Sequence, residues 1–154
     1  MSEPLMVLHY DVDGKDFTTA GEASGAVKKV LRQLGISSEV IRKVAIAMYE
    51  CEINMVIHAY GGVIDVEIRP ESIRMIHKDV GPGIPDIDKA MQAGFSTASQ
   101  QVRELGFGAG MGLPNMKNYT DEMKISTEKQ TFHLLVHAPH RHRVWGWAGQ
   151  KSGA

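Results

Sequence analysis

The chain has 154 residues, carries 17 Lys+Arg against 18 Asp+Glu for a formal charge of −1, and is 43% hydrophobic. That describes one globular domain, able to bury roughly two thirds of its unfolded surface without staples; the single Cys51 has no internal disulfide partner, as expected of a chain in a reducing cytoplasm. The near-neutral balance removes the main electrostatic reason to expect nucleic acid, no apolar run approaches the roughly 20 residues that span a bilayer, and the first residues lack the basic-then-apolar pattern of an export signal.

Residues 5–10 alternate weakly and end at Asp11-Val-Asp-Gly14, which predicts a strand and a turn, with a second extended stretch around Phe17. Over residues 20–34, Ala26, Val27, Val30, Leu31 and Leu34 recur at three- and four-residue steps before Gly35, the pattern of a first helix. Ser37 and Ser38 are N-cap candidates for a second helix, in which Val40, Val44, Met48, Cys51 and Met55 keep the spacing as far as Ala59-Tyr60-Gly61-Gly62. Residues 63–69 and 72–78, split by Pro70-Glu71, read as an antiparallel hairpin.

Gly81, Pro82, Gly83 and Pro85 then exclude regular structure, a short helix is expected over 86–91, and residues 92–110 read as a long loop. Gly112-Leu113-Pro114 opens another helix, expected to run to about Met123, and residues 124–127 and 131–138 form a closing hairpin. The basic tail, 139–154, holds Trp145 and Trp147 without a packing pattern: a frayed or added terminus, or else a partner-binding segment. One domain over 1–138 is therefore expected. Its element order lacks the regular alternation of a doubly wound sheet and predicts an α+β two-layer sandwich.

Four features carry chemistry. Glu50 and Asn54, four apart on the second helix, share a stripe roughly 100° from the core line. There the Asn oxygen suits a hard cation such as Mg²⁺, and a partly desolvated Glu suits a base or water-orienting role; a solvated helix edge is the plain alternative. Asp79-Val-Gly81-Pro-Gly83 places an acceptor-only carboxylate beside two glycines that let backbone approach a ligand. Gly106-Phe-Gly108-Ala-Gly110-Met-Gly112 leads four alternating glycines into a helix start, a setting that favours phosphate. Within the long loop, the hydroxyls of Ser96 and Thr97 in Gly94-Phe-Ser-Thr could bond phosphate or cap a helix.

No Gly-Lys-Ser/Thr follows the glycines, so this is no Walker A loop, and Leu113 and Asp86 occupy the last glycine position of a dinucleotide fingerprint. The eukaryotic-type kinase set is missing as well: Val44-Ala45-Ile46 is followed by Ala47 rather than Lys, and neither Asp-Phe-Gly nor His-Arg-Asp occurs. Metal binding through His58, His77, His133, His137, His140 and His142 is disfavoured, because His133 and His137 on one strand lie too far apart to share an ion and no recognised spacing joins them to Cys or carboxylate.

Taken in order, Glu50-x-x-x-Asn54, Asp79-x-Gly81-x-Gly83 and the 106–112 cluster resemble the N, G1 and G2 boxes of the GHKL ATPase/kinase superfamily. Asp79-Val-Gly-Pro-Gly-Ile-Pro-Asp86, Gly94-Phe-Ser-Thr97 and Gly108-Ala-Gly-Met-Gly-Leu-Pro114 look most like the bacterial serine/threonine kinases that regulate sigma factors, the stressosome switch kinases first and the anti-sigma-factor kinases more distantly, over about residues 5–138. The resemblance implies a Bergerat fold, a mostly antiparallel mixed sheet with helices on one face, and an ATP site with Asn54 on Mg²⁺ and Glu50 as the base. It also implies Asp79 on the adenine amino group, Gly81 and Gly83 against the base, Gly106, Gly108, Gly110 and Gly112 around the phosphates, and Thr131 as a hydroxyl that helps hold adenine. Lys78, Lys117 and Arg103 are the nearby cations.

With only 49 residues before Glu50, a stand-alone kinase domain fits better than a sensor kinase with its dimerisation helices. The implied activity is phosphorylation of a small STAS-domain-like antagonist, which switches the binding of a sigma factor or other effector, in the cytoplasm and without nucleic acid or membrane; a homodimer is compatible. The rival readings are a non-catalytic ATP/ADP-binding switch module and a detached histidine-kinase catalytic domain.

Overall fold

A computed structural model describes residues 2–14, 16–58, 61–80, 91, 112–126 and 131–138. In it five strands, β1 (Met6–Asp13), β2 (Gly61–Ile68), β3 (Ser72–Asp79), β4 (Glu122–Ser126) and β5 (Thr131–His137), form one sheet in the order β1-β2-β3-β5-β4. Three helices, α1 (Glu22–Gln33), α2 (Ser38–His58) and α3 (Gly112–Asn118), complete the α+β architecture. All four strand pairings are antiparallel, so the sheet is antiparallel throughout rather than mixed among the described residues.

Strand alternation puts apolar residues in rows across one face. Leu8, Val66, Met75, Leu134 and Met123 are successive partners in one row, and Tyr10, Ile64, His77, Phe132 and Ile125 in the next. The helices cover these rows with Val27 and Leu31 of α1, Val44, Met48, Cys51 and Met55 of α2, and Leu113 and Met116 of α3. Among the described residues, no helix is long and apolar enough to cross a membrane.

Several sequence expectations need correction. β1 continues through Asp11 to Asp13 instead of turning, because Asp11, Val12 and Asp13 pair with Val63, Gly62 and Gly61. The two acids lie exposed while Val12 turns inward, so the ladder and one buried contact override turn propensity. Around Phe17 the chain turns rather than extends: the Asp16 carboxylate accepts from the Thr18 N–H at 3.1 Å and from its hydroxyl at 2.6 Å, the bonding of an Asx turn. Helix α3 ends at Asn118 rather than near Met123. The Thr120 hydroxyl caps the Met116 carbonyl at 2.7 Å, and the Asp121 N–H bonds Leu135 O at 2.8 Å, which draws the chain into β4 from Glu122. The closing strand expected at 124–127 therefore starts two residues earlier. The helix expected over 86–91 lies outside the described residues except for Met91, which sits in a turn, and the 92–110 loop and the 139–154 tail lie outside them altogether.

Ser37 caps α2, its hydroxyl accepting from the Val40 N–H at 3.3 Å. The start of α1 is capped from a distance. Glu52 of α2 is 2% exposed, and its Oε2 accepts from the N–H groups of Gly21 (2.9 Å) and Ala23 (3.2 Å), its Oε1 from that of Ser24 (3.0 Å). One buried carboxylate thus satisfies three donors at a helix start and fixes α1 against α2. Glu52→Ala should lower unfolding stability by about 3 kcal/mol, since it leaves those donors buried and unpaired; urea denaturation checks it, and a change below about 0.5 kcal/mol would show that the bonds contribute little.

Candidate functional site: a cleft at the end of helix α2

The second half of α2 lies between the sheet, α1 and α3, and Cys51, Glu52, Ile53, Met55, Val56 and Ile57 are all buried. Glu50 and Asn54 are half-buried on the side that meets α3. Gly112, the first residue of α3, comes against both: a methyl group built on it would lie 3.6 Å from Asn54 Oδ1, 3.7 Å from Asn54 Nδ2 and 3.8 Å from Glu50 Oε1. Asn115, one turn on, donates from Nδ2 to Glu50 Oε2 at 2.9 Å. The Glu50 carboxylate is therefore anchored through one oxygen, while its other oxygen lies on the Gly112 side together with the Asn54 amide.

Asp79 ends β3 on the helix-facing side, in the same alternation as Met75 and His77. Its Oδ1 is buried with no hydrogen-bond partner among the described residues, and burial pushes its carboxyl above the usual range. The Cys51 thiol of α2 is pushed well up by burial first and then by the charges of Asp79 and Glu52, so Asp79 lies beneath α2. The sheet end there is tight. Gly62 has φ +151°, and a Cβ on it would stand 2.1 Å from the Lys78 carbonyl oxygen, 2.7 Å from Asp79 Cα and 2.8 Å from the Met55 methyl. Only glycine lets β2 begin so close to the end of β3. Thr131, the first residue of β5 and 4% exposed, pairs with Lys78 beside Asp79.

The fold thus brings Glu50, Asn54 and Gly112 to one cluster, and leaves Asp79 and Thr131 at one end of the sheet, Asp79 on the helix-facing side and Thr131, the partner of Lys78, on the opposite side. Lys78 alternates to the other side of the sheet and is exposed, and Lys117 is exposed in the last turn of α3. Gly81, Gly83, Ser96, Thr97, Arg103, Gly106, Gly108 and Gly110 lie outside the described residues. Two residues at this end of α2 escaped sequence reasoning. Asn115 stands just past Pro114 in the first turn of α3, where a short amide draws no notice until its partner helix is placed. Glu52 offered a stronger signal, an acid between Cys51 and Ile53 on a helix buried nearly all round.

Residues 15–136 match the family described as the histidine kinase-like ATPase domain. The chain belongs to that family. The domain is 32% identical over 104 residues to serine/threonine-protein kinase RsbT of Bacillus subtilis (strain 168), covering 65% of this chain and 72% of that protein. It is 31% identical over 118 residues to an anti-sigma F factor of Clostridium novyi (strain NT), covering 72% and 79% respectively. A solved mycobacterial sensor histidine kinase, MprB, superposes with a TM-score of 0.48 at 16% identity, covering 87% of this chain and all of that one. The likeness to GHKL sigma-factor regulators drawn from the boxes holds.

Proposed function

We propose that this domain is a serine/threonine protein kinase that uses Mg-ATP to phosphorylate a small, STAS-domain-like antagonist in the cytoplasm, and so switches the binding of a sigma factor or similar effector. The observation that carries the reading is the Glu50 carboxylate, tied through Oε2 to Asn115 with Oε1 beside Gly112 and Asn54. A base must be positioned before it can take a proton, and this one is.

The residues fit the nucleotide the family implies. Asp79 carries a partly buried carboxylate whose Oδ1 has no hydrogen-bond partner among the described residues; as an acceptor-only group it suits the exocyclic amino group of adenine, and Thr131 adds a hydroxyl at the same sheet end. The Asn54 amide oxygen borders space that a side chain on Gly112 would fill, suited to Mg²⁺, a hard cation that takes oxygen ligands. When bound, magnesium supplies charge neutralisation on the phosphates.

The chain's own contribution is positional. Asn54 orients, Gly112 keeps the approach open, and Asn115 holds Glu50 so that it can accept the proton of an incoming hydroxyl. The Gly81, Gly83, Ser96, Thr97, Gly106, Gly108 and Gly110 positions complete the base and phosphate contacts in this proposal.

The relative named an anti-sigma F factor rather than a kinase favours one second reading, a binding-only module that holds an effector according to its nucleotide. Incubation of the domain with γ-labelled Mg-ATP and a STAS-domain protein tests the choice. Label on acceptor serine or threonine is expected; nucleotide bound without transfer selects the binding module, and phosphohistidine selects a histidine kinase.

A further inference from the structure

His77 lies on the helix-facing side of β3, between Ile64 of β2 and Phe132 of β5 and two residues before Asp79. It is 0% exposed, and neither ring nitrogen has a hydrogen-bond partner among the described residues. Burial lowers its pKa to about 3, so at physiological pH the ring is neutral and offers one N–H donor and one acceptor. An unpaired buried polar group destabilises the fold, and an apolar side chain of similar volume would avoid that cost.

Asp79 Oδ1 has the same deficit, on the same strand and the same face. Alternate residues of a strand stand about 6.6 Å apart at Cα on one face, near enough for one water to bond both side chains at about 2.8 Å each. A buried water needs two to four polar partners, and these two side chains supply them. We propose that His77 is a positioning residue for base recognition: through one buried water its ring N–H holds Asp79 Oδ1 and turns Oδ2 toward the adenine amino group, which selects adenine over guanine. This rests on the nucleotide reading above.

The chemistry follows from donor and acceptor counts. A carboxylate accepts from the 6-amino group of adenine and repels the 6-carbonyl of guanine. Without the His77-held water, burial favours protonation of Asp79, and a protonated carboxyl can donate to that carbonyl. Loss of His77 should therefore weaken ATP and relax selectivity together.

The test uses His77→Leu and His77→Gln in the full chain, with ATP and GTP binding measured by calorimetry and thermal unfolding recorded in parallel. His77→Leu should lower ATP affinity about tenfold and shrink the ATP:GTP preference by a similar factor while the melting temperature holds or rises. His77→Gln, which can still donate to the water, should restore most of both. Wild-type affinity and selectivity in a folded His77→Leu chain would overturn the proposal and leave the nucleotide reading standing. A wild-type chain that binds neither nucleotide would overturn that reading, and this proposal with it. If His77→Leu does not fold, ring ¹⁵N shifts of His77 in the wild type decide: one hydrogen-bonded tautomer that shifts on ATP addition supports the proposal, and a ring unmoved by ATP contradicts it.

Discussion

Glu50→Ala is expected to slow phosphoryl transfer to a protein hydroxyl by about 10²–10⁴-fold, the usual contribution of a positioned general base, while ATP affinity stays within about threefold, or 0.7 kcal/mol. The separation of the two effects follows from the geometry. Glu50 is fixed by Asn115 of α3, whereas the acceptor assigned to the adenine base, Asp79, stands on another element at the end of β3. Asn115→Ala should give a smaller loss of transfer, because it frees the carboxylate without removing it. Single-turnover transfer with a STAS-domain acceptor, beside equilibrium binding of ATP, measures both quantities. Equal loss of binding and transfer in Glu50→Ala would place Glu50 in nucleotide binding instead.

The second large effect concerns Asp79. Asp79→Asn should weaken ATP by about 10- to 100-fold, since a hydrogen bond to a charged group contributes about 1.5–3 kcal/mol and each tenfold is 1.4 kcal/mol. The same change should stabilise the nucleotide-free protein. Burial raises the Asp79 pKa in the folded state, so between the unfolded and folded values the folded chain binds more protons than the unfolded one. Stability attributable to this group therefore falls as pH rises through that window, and the amide removes the penalty. ATP binding runs the opposite way, because adenine is accepted by the carboxylate form: affinity should fall as pH is lowered through the raised Asp79 pKa, and Asp79→Asn should abolish that dependence. Urea denaturation and ATP titrations across pH measure the pair. A variant that loses stability and keeps its ATP affinity would remove Asp79 from the base site.

Helices α1 and α2 and the β2–β3 hairpin were legible because single residues announce them. Gly35 follows α1, Ser37 caps α2, and Pro70-Glu71 splits the hairpin. The errors arose where tertiary contacts override local preference. Asp11 and Asp13 are turn formers, yet the ladder to β2 holds them in a strand. Met116 and Met123 keep helical spacing, yet Asp121 bonds to β5 and Met123 belongs to the sheet row opposite Leu134.

At the candidate site the motif residues Glu50, Asn54 and Asp79 were readable from spacing and residue type. Their surroundings were not: Asn115 and Glu52 bond to groups on other elements, and nothing in a linear sequence says which helix start lies beside Glu52 or that His77 and Asp79 share a partner deficit on one strand face. Helical spacing puts Glu50 and Asn54 on the margin of the core, and in the structure this margin is where α3 begins.

The proposed function requires that the end of α2, the start of α3 and the end of β3 together bind Mg-ATP. Calorimetric titration of the wild-type chain with ATP, in the presence of magnesium and again with excess chelator, tests it most directly. Saturable one-site binding that weakens at least tenfold, or 1.4 kcal/mol, on chelation is the predicted result. Titration to millimolar ATP and magnesium with no heat beyond dilution would contradict it.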